Sequence, residues 1–324
     1  MKIKVVFLGT PEFACPTLDY LLSEHDQYEV CGVVTQPSKP SGRNLEVKKS
    51  RVQELAESHL NTLSRLQKKF PILLPPNIND VSVLKQIQAL DAHIAVVVAY
   101  GQILHPAFMT IFKHGAVNVH ASLLPRWRGA APIAWALLKQ DPVTGVTLQK
   151  IATKLDSGDI IGQHQVVLDE TWDASILYTE LSKRGADLVR RYLPDYVSGK
   201  LKTTPQDETK VTLAPKITKE QGHIDWNNTA KDICAQINAL TPWPGTWTTR
   251  DAKQLKVLRA NPIEYQSKEK PGSVISVDKT NFVVQCGEGS SLMVLVVQPE
   301  SRARMPASAY LKGYPFKKGD FLGG

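Results

Sequence analysis

HIAVVVAYGQILHPAFMTIFKHGAVNVH, residues 93–120, decides the fold. HIAVVVA is a short, continuous apolar run and reads as a buried strand; GAVNVH, at 115–120, reads as another. Outward from there, KIKVVFLG (2–9), YEVCGVVT (28–35), GVTLQKIA (145–152) and DIIGQHQVVL (159–168) also read as strands. CPTLDYLLSEH, RVQELAESHL, VSVLKQIQAL, APIAWALLKQ and SILYTELSKRGADLVRRYL carry helical spacing. Continuous apolar strands separated by helices predict an α/β fold with a mostly parallel, Rossmann-like sheet and helices on both faces. Ligands bind such sheets outside the carboxyl ends of the strands. That puts Gly9-Thr10-Pro11, Tyr100-Gly101-Gln102 and Asn118 to Ser122 along one rim.

Periodicity fades after residue 194, and 195–216 read as a linker rich in Pro, Thr and Lys. Beyond it come one helical stretch, TAKDICAQINAL, and short strands TWTTR, LKVLRA, GSVISV, NFVVQC and SLMVLVV. Close spacing of short strands predicts a smaller β-barrel over 217–324. A length of 324 residues accommodates both domains.

Composition excludes several classes. No apolar run approaches the roughly 20 residues of a membrane-spanning helix, so no membrane association is expected. MKIKVVFLGTPEF reads as a first strand rather than a secretion signal, because its apolar stretch is brief and lacks a cleavage pattern. Cys15, Cys31, Cys234 and Cys286 are far apart, which signals neither a disulfide framework nor a zinc site. A cytoplasmic protein without a metal is expected. The net charge is +8, of which +5 lies from Leu201 onward. A polyanionic partner is compatible with that balance but not required by it.

Asn118 and His120 are two residues apart on a strand, so their side chains share a face. An amide N–H and a protonated imidazole suit the oxygen of a tetrahedral acyl-transfer intermediate, and imidazole can also move a proton. Alone, the pair is better explained by a capping Asn and a core or solvated His. The continuation SLLPRWRGAAP tips the balance: Pro125 and Pro132 restrict the backbone, Gly129 permits close approach, and Leu123 and Leu124 offer a place for a flat ligand. In KLDSGDIIGQ, Asp156 or Asp159 supplies a carboxylate that favours a charged imidazole. LGTPEF lacks the glycine spacing of a nucleotide loop. The polar loop at 35–50 carries Lys39, Arg43, Lys48 and Lys49 at the same rim, where they could grip phosphates.

FLGTPEFA, VVVAYGQIL, NVHASLLPRWRGAAPI, TGVTLQKIATKLDSGDII and IDWNNTAKDICAQINALTPWPGTW together resemble the methionyl-tRNA formyltransferases over nearly the whole chain. The resemblance implies formyl transfer from 10-formyltetrahydrofolate, as co-substrate, to the α-amine of methionine on initiator tRNA. It implies no metal, a catalytic domain at 1–194, and a tRNA-binding, OB-like β-barrel domain at 217–324. Asn118, His120 and Asp156 match the family's catalytic trio. Ser122, Leu123, Leu124 and Pro125 match its folate-contacting stretch, while Gln102, Ile103 and Leu104 fall where the pterin lies against backbone. Arg43, with Lys39 and Lys48, falls in the loop that grips tRNA. GRNLEVKKSRVQ and NTLSRLQKKFP depart from the family pattern. A monomer is expected. Relatives with the same trio that formylate sugar-nucleotide or purine-pathway amines remain an alternative, as does a non-catalytic tRNA-binding module.

Overall fold

Residues 93–120 form the two strands that their apolar runs imply, with a short helix between them that the sequence reading did not include. The computed structural model describes residues 2–41, 46–63, 69–265 and 267–323. The chain begins with β1 (Ile3–Gly9), α1 (Cys15–Ser23), β2 (Tyr28–Val34), β3 (Lys39–Ser41), β4 (Glu46–Lys48), α2 (Arg51–Leu63) and β5 (Ile72–Leu73). It continues through α3 (Val81–Gln88), β6 (Ile94–Val98), α4 (Pro106–Met109), β7 (Ala116–His120), β8 (Arg128–Gly129) and α5 (Pro132–Leu138). Next are β9 (Val143–Lys150), β10 (Ile160–Val167), α6 (Ala174–Val197) and β11 (Leu213–Ala214). The last part holds α7 (Ala230–Leu240), β12 (Thr246–Arg250), β13 (Lys253–Ile263), β14 (Val274–Val277), β15 (Phe282–Gln285), β16 (Ser291–Pro299), β17 (Met305–Pro306) and α8 (Ala307–Gly313).

Two compact units result. One comprises 1–129, 143–167 and 178–213; the other comprises 130–142, 168–177 and 214–324. The first is a seven-stranded sheet of order β10-β9-β7-β6-β1-β2-β5. β5, β2, β1, β6 and β7 run parallel, so their carboxyl ends share one rim. Val5, Val6, Phe7, Leu8, Ile94, Ala95, Val96 and Val98 are fully buried, as strands covered on both faces require. One face packs Val6, Leu8, Ala95 and Val97 with Phe108 and Phe112. On the other, α6 approaches β7 closely where Gly185 lies against Val119, and a Cβ there would come within 2.7 Å of that side chain. β9 departs from the parallel pattern and pairs antiparallel with β7, as β10 does with β9. Its register sets Thr147 opposite His120 and Lys150 opposite Val117, so β9 begins at the rim where β7 ends. A chain that does not cross back must re-enter antiparallel.

The second unit is built on the antiparallel order β12-β13-β16-β15-β14, with β17 on β16. Trp226, Ile233, Ile237, Val257, Phe282, Val284, Leu292 and Val294 fill its core. Thr229 caps α7, accepting from the Asp232 N–H and donating to its carboxylate. α5 belongs here as well: Gln140, just beyond it, donates to Asp232, and Trp135 donates to the Pro215 carbonyl. Residues 130–142 and 168–177 group with the second unit by their contacts.

One local reading is corrected. The stretch taken as a polar loop at 35–50 contains a two-stranded ribbon, β3 against β4, in which Lys39 and Lys48 are register partners. In the stretch read as a linker, residues 195–197 complete the last turn of α6, and Thr203 donates to Asp159 while Gln206 donates to the Asp156 and Gly158 carbonyls. Among the described residues no helix is long and apolar enough to cross a membrane.

Candidate active site

β7 presents Asn118 and His120 on one face, as the strand period demands. Directly opposite on β9, and therefore on the same face, are Gln149 and Thr147. The result is a polar layer beside the apolar strand β6. His120 and Gln149 are buried, while Asn118 is half-buried. The chain leaves β9 beside Val117 and folds back over this face, which brings the Asp156 carboxylate within 3.7 Å of His120 Nδ1. Gly158 makes that return possible, because a Cβ there would overlap the Lys150 carbonyl.

Each group is held differently. His120 Nε2 donates to the Trp127 carbonyl at 2.8 Å. Trp127 itself adopts a left-handed backbone, φ 64°, an uncommon conformation for a bulky residue. Its N–H donates to Thr212 Oγ1, and the next N–H, of Arg128, donates to the Thr212 carbonyl, pinning the loop on both sides. Asp156 accepts from the Gly129 N–H at 2.9 Å and from Gln149 Nε2 at 3.2 Å. These bonds hold the carboxylate near His120, at 3.7 Å, longer than a hydrogen bond. The Asn118 carboxamide has no hydrogen-bond partner among the described residues.

Of the two aspartates singled out in the sequence, Asp156 alone is brought to His120. Asp159 is engaged elsewhere by the Thr203 hydroxyl and the Lys150 ammonium, which hold its carboxyl below the usual range. In the loop after β7, Ser122 is fully buried, and its hydroxyl donates to the Arg126 carbonyl. Leu124 is buried and donates its N–H to Thr147. Leu123 and Pro125 are half-buried. On the neighbouring strand's carboxyl end, the Gln102 side chain bonds Ile78 N–H and the Pro75 and Pro76 carbonyls. The N–H groups of Gln102, Ile103 and Leu104 have no partner among the described residues, and the Ile103 side chain is 77% exposed. Lys48 is exposed, while Arg43 lies outside the described residues.

Sequence reasoning missed Gln149, Arg128, Gln206 and Glu208. Arg128 is only 2% exposed, and its guanidinium donates to Gln206 Oε1 and to both Glu208 oxygens. Hydrogen bonds from Arg128 and Lys154 hold the Glu208 carboxyl below its ordinary range. The alternation of β9 could have flagged Gln149, a polar residue at an inward position.

Residues 1–194 match the family described as formyl transferase, and 216–315 match its C-terminal domain. The chain belongs to the formyl transferase family. A methionyl-tRNA formyltransferase of Bdellovibrio bacteriovorus is 44% identical over 99% of this chain and 99% of its own length. One from Caldanaerobacter subterraneus is 40% identical over 99% of this chain and all of its own. The sugar 3N-formyl transferase WlaRD has the same fold at a TM-score of 0.64, with 17% identity over 94% of this chain and 100% of its own. In this formyl transferase, then, the polar layer of β7 and β9 lies within the matched N-terminal segment, as does the Asp156 turn.

Proposed function

We propose that this formyl transferase moves the formyl group of 10-formyltetrahydrofolate to the α-amine of methionine carried by initiator tRNA. Two relatives of that name, 44% and 40% identical and collinear over 99% of this chain, support the choice of acceptor. The observation that carries the chemistry is the unpartnered Asn118 amide beside His120, with Asp156 3.7 Å from the imidazole. The folate fits the rim: unpaired N–H groups at Gln102 to Leu104 can bind a hydrogen-bonding heterocycle, and the exposed Ile103 gives it apolar contact. When bound, the folate supplies the one-carbon unit.

The residues act by position and charge. Asn118 donates an N–H to the formyl oxygen as an amine adds to the formyl carbon, and that bond strengthens as negative charge develops. His120 keeps its Nε2 proton on the Trp127 carbonyl, so Nδ1 is the position that takes up or releases a proton. Protonated there, it faces both the carboxylate and the reacting centre. Asp156 stabilises that charge and relays the proton from the attacking amine toward the departing nitrogen. No covalent enzyme intermediate is needed.

The C-terminal domain, residues 217–324, is assigned to tRNA binding on the strength of the +5 that lies from Leu201 onward, and Lys39, Arg43 and Lys48 are assigned to the acceptor end. Action as a cytoplasmic monomer completes the reading. The test is transfer of labelled formyl from 10-formyltetrahydrofolate to charged initiator tRNA, compared with charged elongator tRNA and with a sugar-nucleotide amine. Product on initiator tRNA is expected. Product on the sugar amine alone would overturn the choice of acceptor, and product on none would overturn the enzyme reading.

A further inference from the structure

We infer that Gln206 is a positioning residue that fixes the Asp156 turn, with Arg128 and Glu208 holding Gln206 in place. Its side-chain amide is used at both ends. Nε2 donates to the carbonyls of Asp156 and Gly158, each at 2.8 Å, and approaches Gln149 Oε1 at 3.3 Å. Oε1 accepts from Arg128 Nε at 3.0 Å and Nη2 at 2.8 Å. The two carbonyls flank Ser157, so one side chain grips the backbone on both sides of the turn that carries the carboxylate.

Arg128 explains why the grip is firm. A buried guanidinium must be paired, and its remaining donors meet Glu208 at 2.6 and 3.3 Å. Arg128 immediately precedes Gly129, whose N–H donates to the Asp156 carboxylate. Gln149, the third neighbour of Gln206, donates to the other carboxylate oxygen. The backbone of the turn and both oxygens of Asp156 are therefore tied to one connected set of side chains and loops. Gln206 touches no reacting atom and lies in a stretch without periodicity. Its role is to keep Asp156 at its distance from His120.

This inference rests on the role given to Asp156 above, and the experiment separates the two. Formyl transfer is measured at saturating and limiting substrates for Gln206→Ala, Gln206→Glu, Asp156→Asn and the Gln206→Ala/Asp156→Asn double variant, with melting temperatures as a check on folding. Displacing a catalytic group by about 1 Å can cost about 10²-fold. Gln206→Ala is expected to lower kcat by about 10- to 100-fold with little change in KM, and to lower it no further in the Asp156→Asn background. Gln206→Glu keeps the Arg128 contact but sets oxygen against the two carbonyls, so it is expected to be as slow as Gln206→Ala. Restored kcat in Gln206→Glu, an additive loss in the double variant, or an unchanged kcat in Gln206→Ala would overturn the inference. Full activity of Asp156→Asn would instead overturn the reading on which it rests.

Discussion

Nε2 of His120 donates to the carbonyl of Trp127 across 2.8 Å. A carbonyl oxygen can only accept, so Nε2 carries a proton in both charge states and Nδ1 does the exchanging. Nitrogen NMR of the free protein is expected to show neutral His120 as the Nε2–H tautomer. A neutral ring with its proton on Nδ1 would contradict this assignment.

Gly158→Ala tests whether the return of the chain over the sheet face matters. The added Cβ meets the rigid Lys150 carbonyl, so the turn must shift. A displacement of about 1 Å at a catalytic group predicts a kcat loss approaching 10²-fold, with KM for tRNA nearly unchanged. A variant with wild-type kcat would show that the position of Asp156 is immaterial.

Glu208 gives a pH-dependent stability with a definite sign. Arg128 and Lys154 depress its carboxyl in the folded protein, so its contribution is complete above about pH 4.3, the unfolded value, and is lost as pH falls through the lower folded one. The difference in melting temperature between wild type and Glu208→Gln is therefore expected to shrink on acidification below that point. A difference that stays constant from neutrality down to about pH 3 would refute the coupling.

Much of this was legible in the chain. The apolar run at 94–98 announces a strand buried on both faces, and Asn118-Val119-His120 announces two side chains on one side of the next. The parallel core was legible, but the antiparallel direction of β9 was not, because β9 turns through the loop that precedes it, not through its own composition. Nor was the ownership of α5, whose partner α7 lies about a hundred residues further on, as the Gln140–Asp232 bond illustrates. Gln206 escaped for a similar reason. It sits among Pro, Asp, Glu and Thr with no periodicity, and its importance comes from contacts with Arg128 and the Asp156 turn. Asp156 and Asp159 are equivalent as letters; only the Lys150 and Thr203 bonds reserve Asp159 for structure.

Lys48 and Lys39 are register partners across the β3–β4 ribbon, and Lys48 is exposed there. Lys48→Ala is expected to raise KM for tRNA, leave kcat unchanged, and reduce the slope of log affinity against log salt by about 1. An unchanged salt slope would remove the ribbon from the tRNA contact.

The Asn118 carboxamide has no hydrogen-bond partner among the described residues, so the most direct measurement of the role proposed for it is the single-turnover rate of formyl transfer by Asn118→Ala onto charged initiator tRNA, with tRNA affinity measured in parallel. The rate is predicted to fall by about 10²–10³-fold while affinity stays within about twofold. A rate equal to that of the wild type would contradict the account.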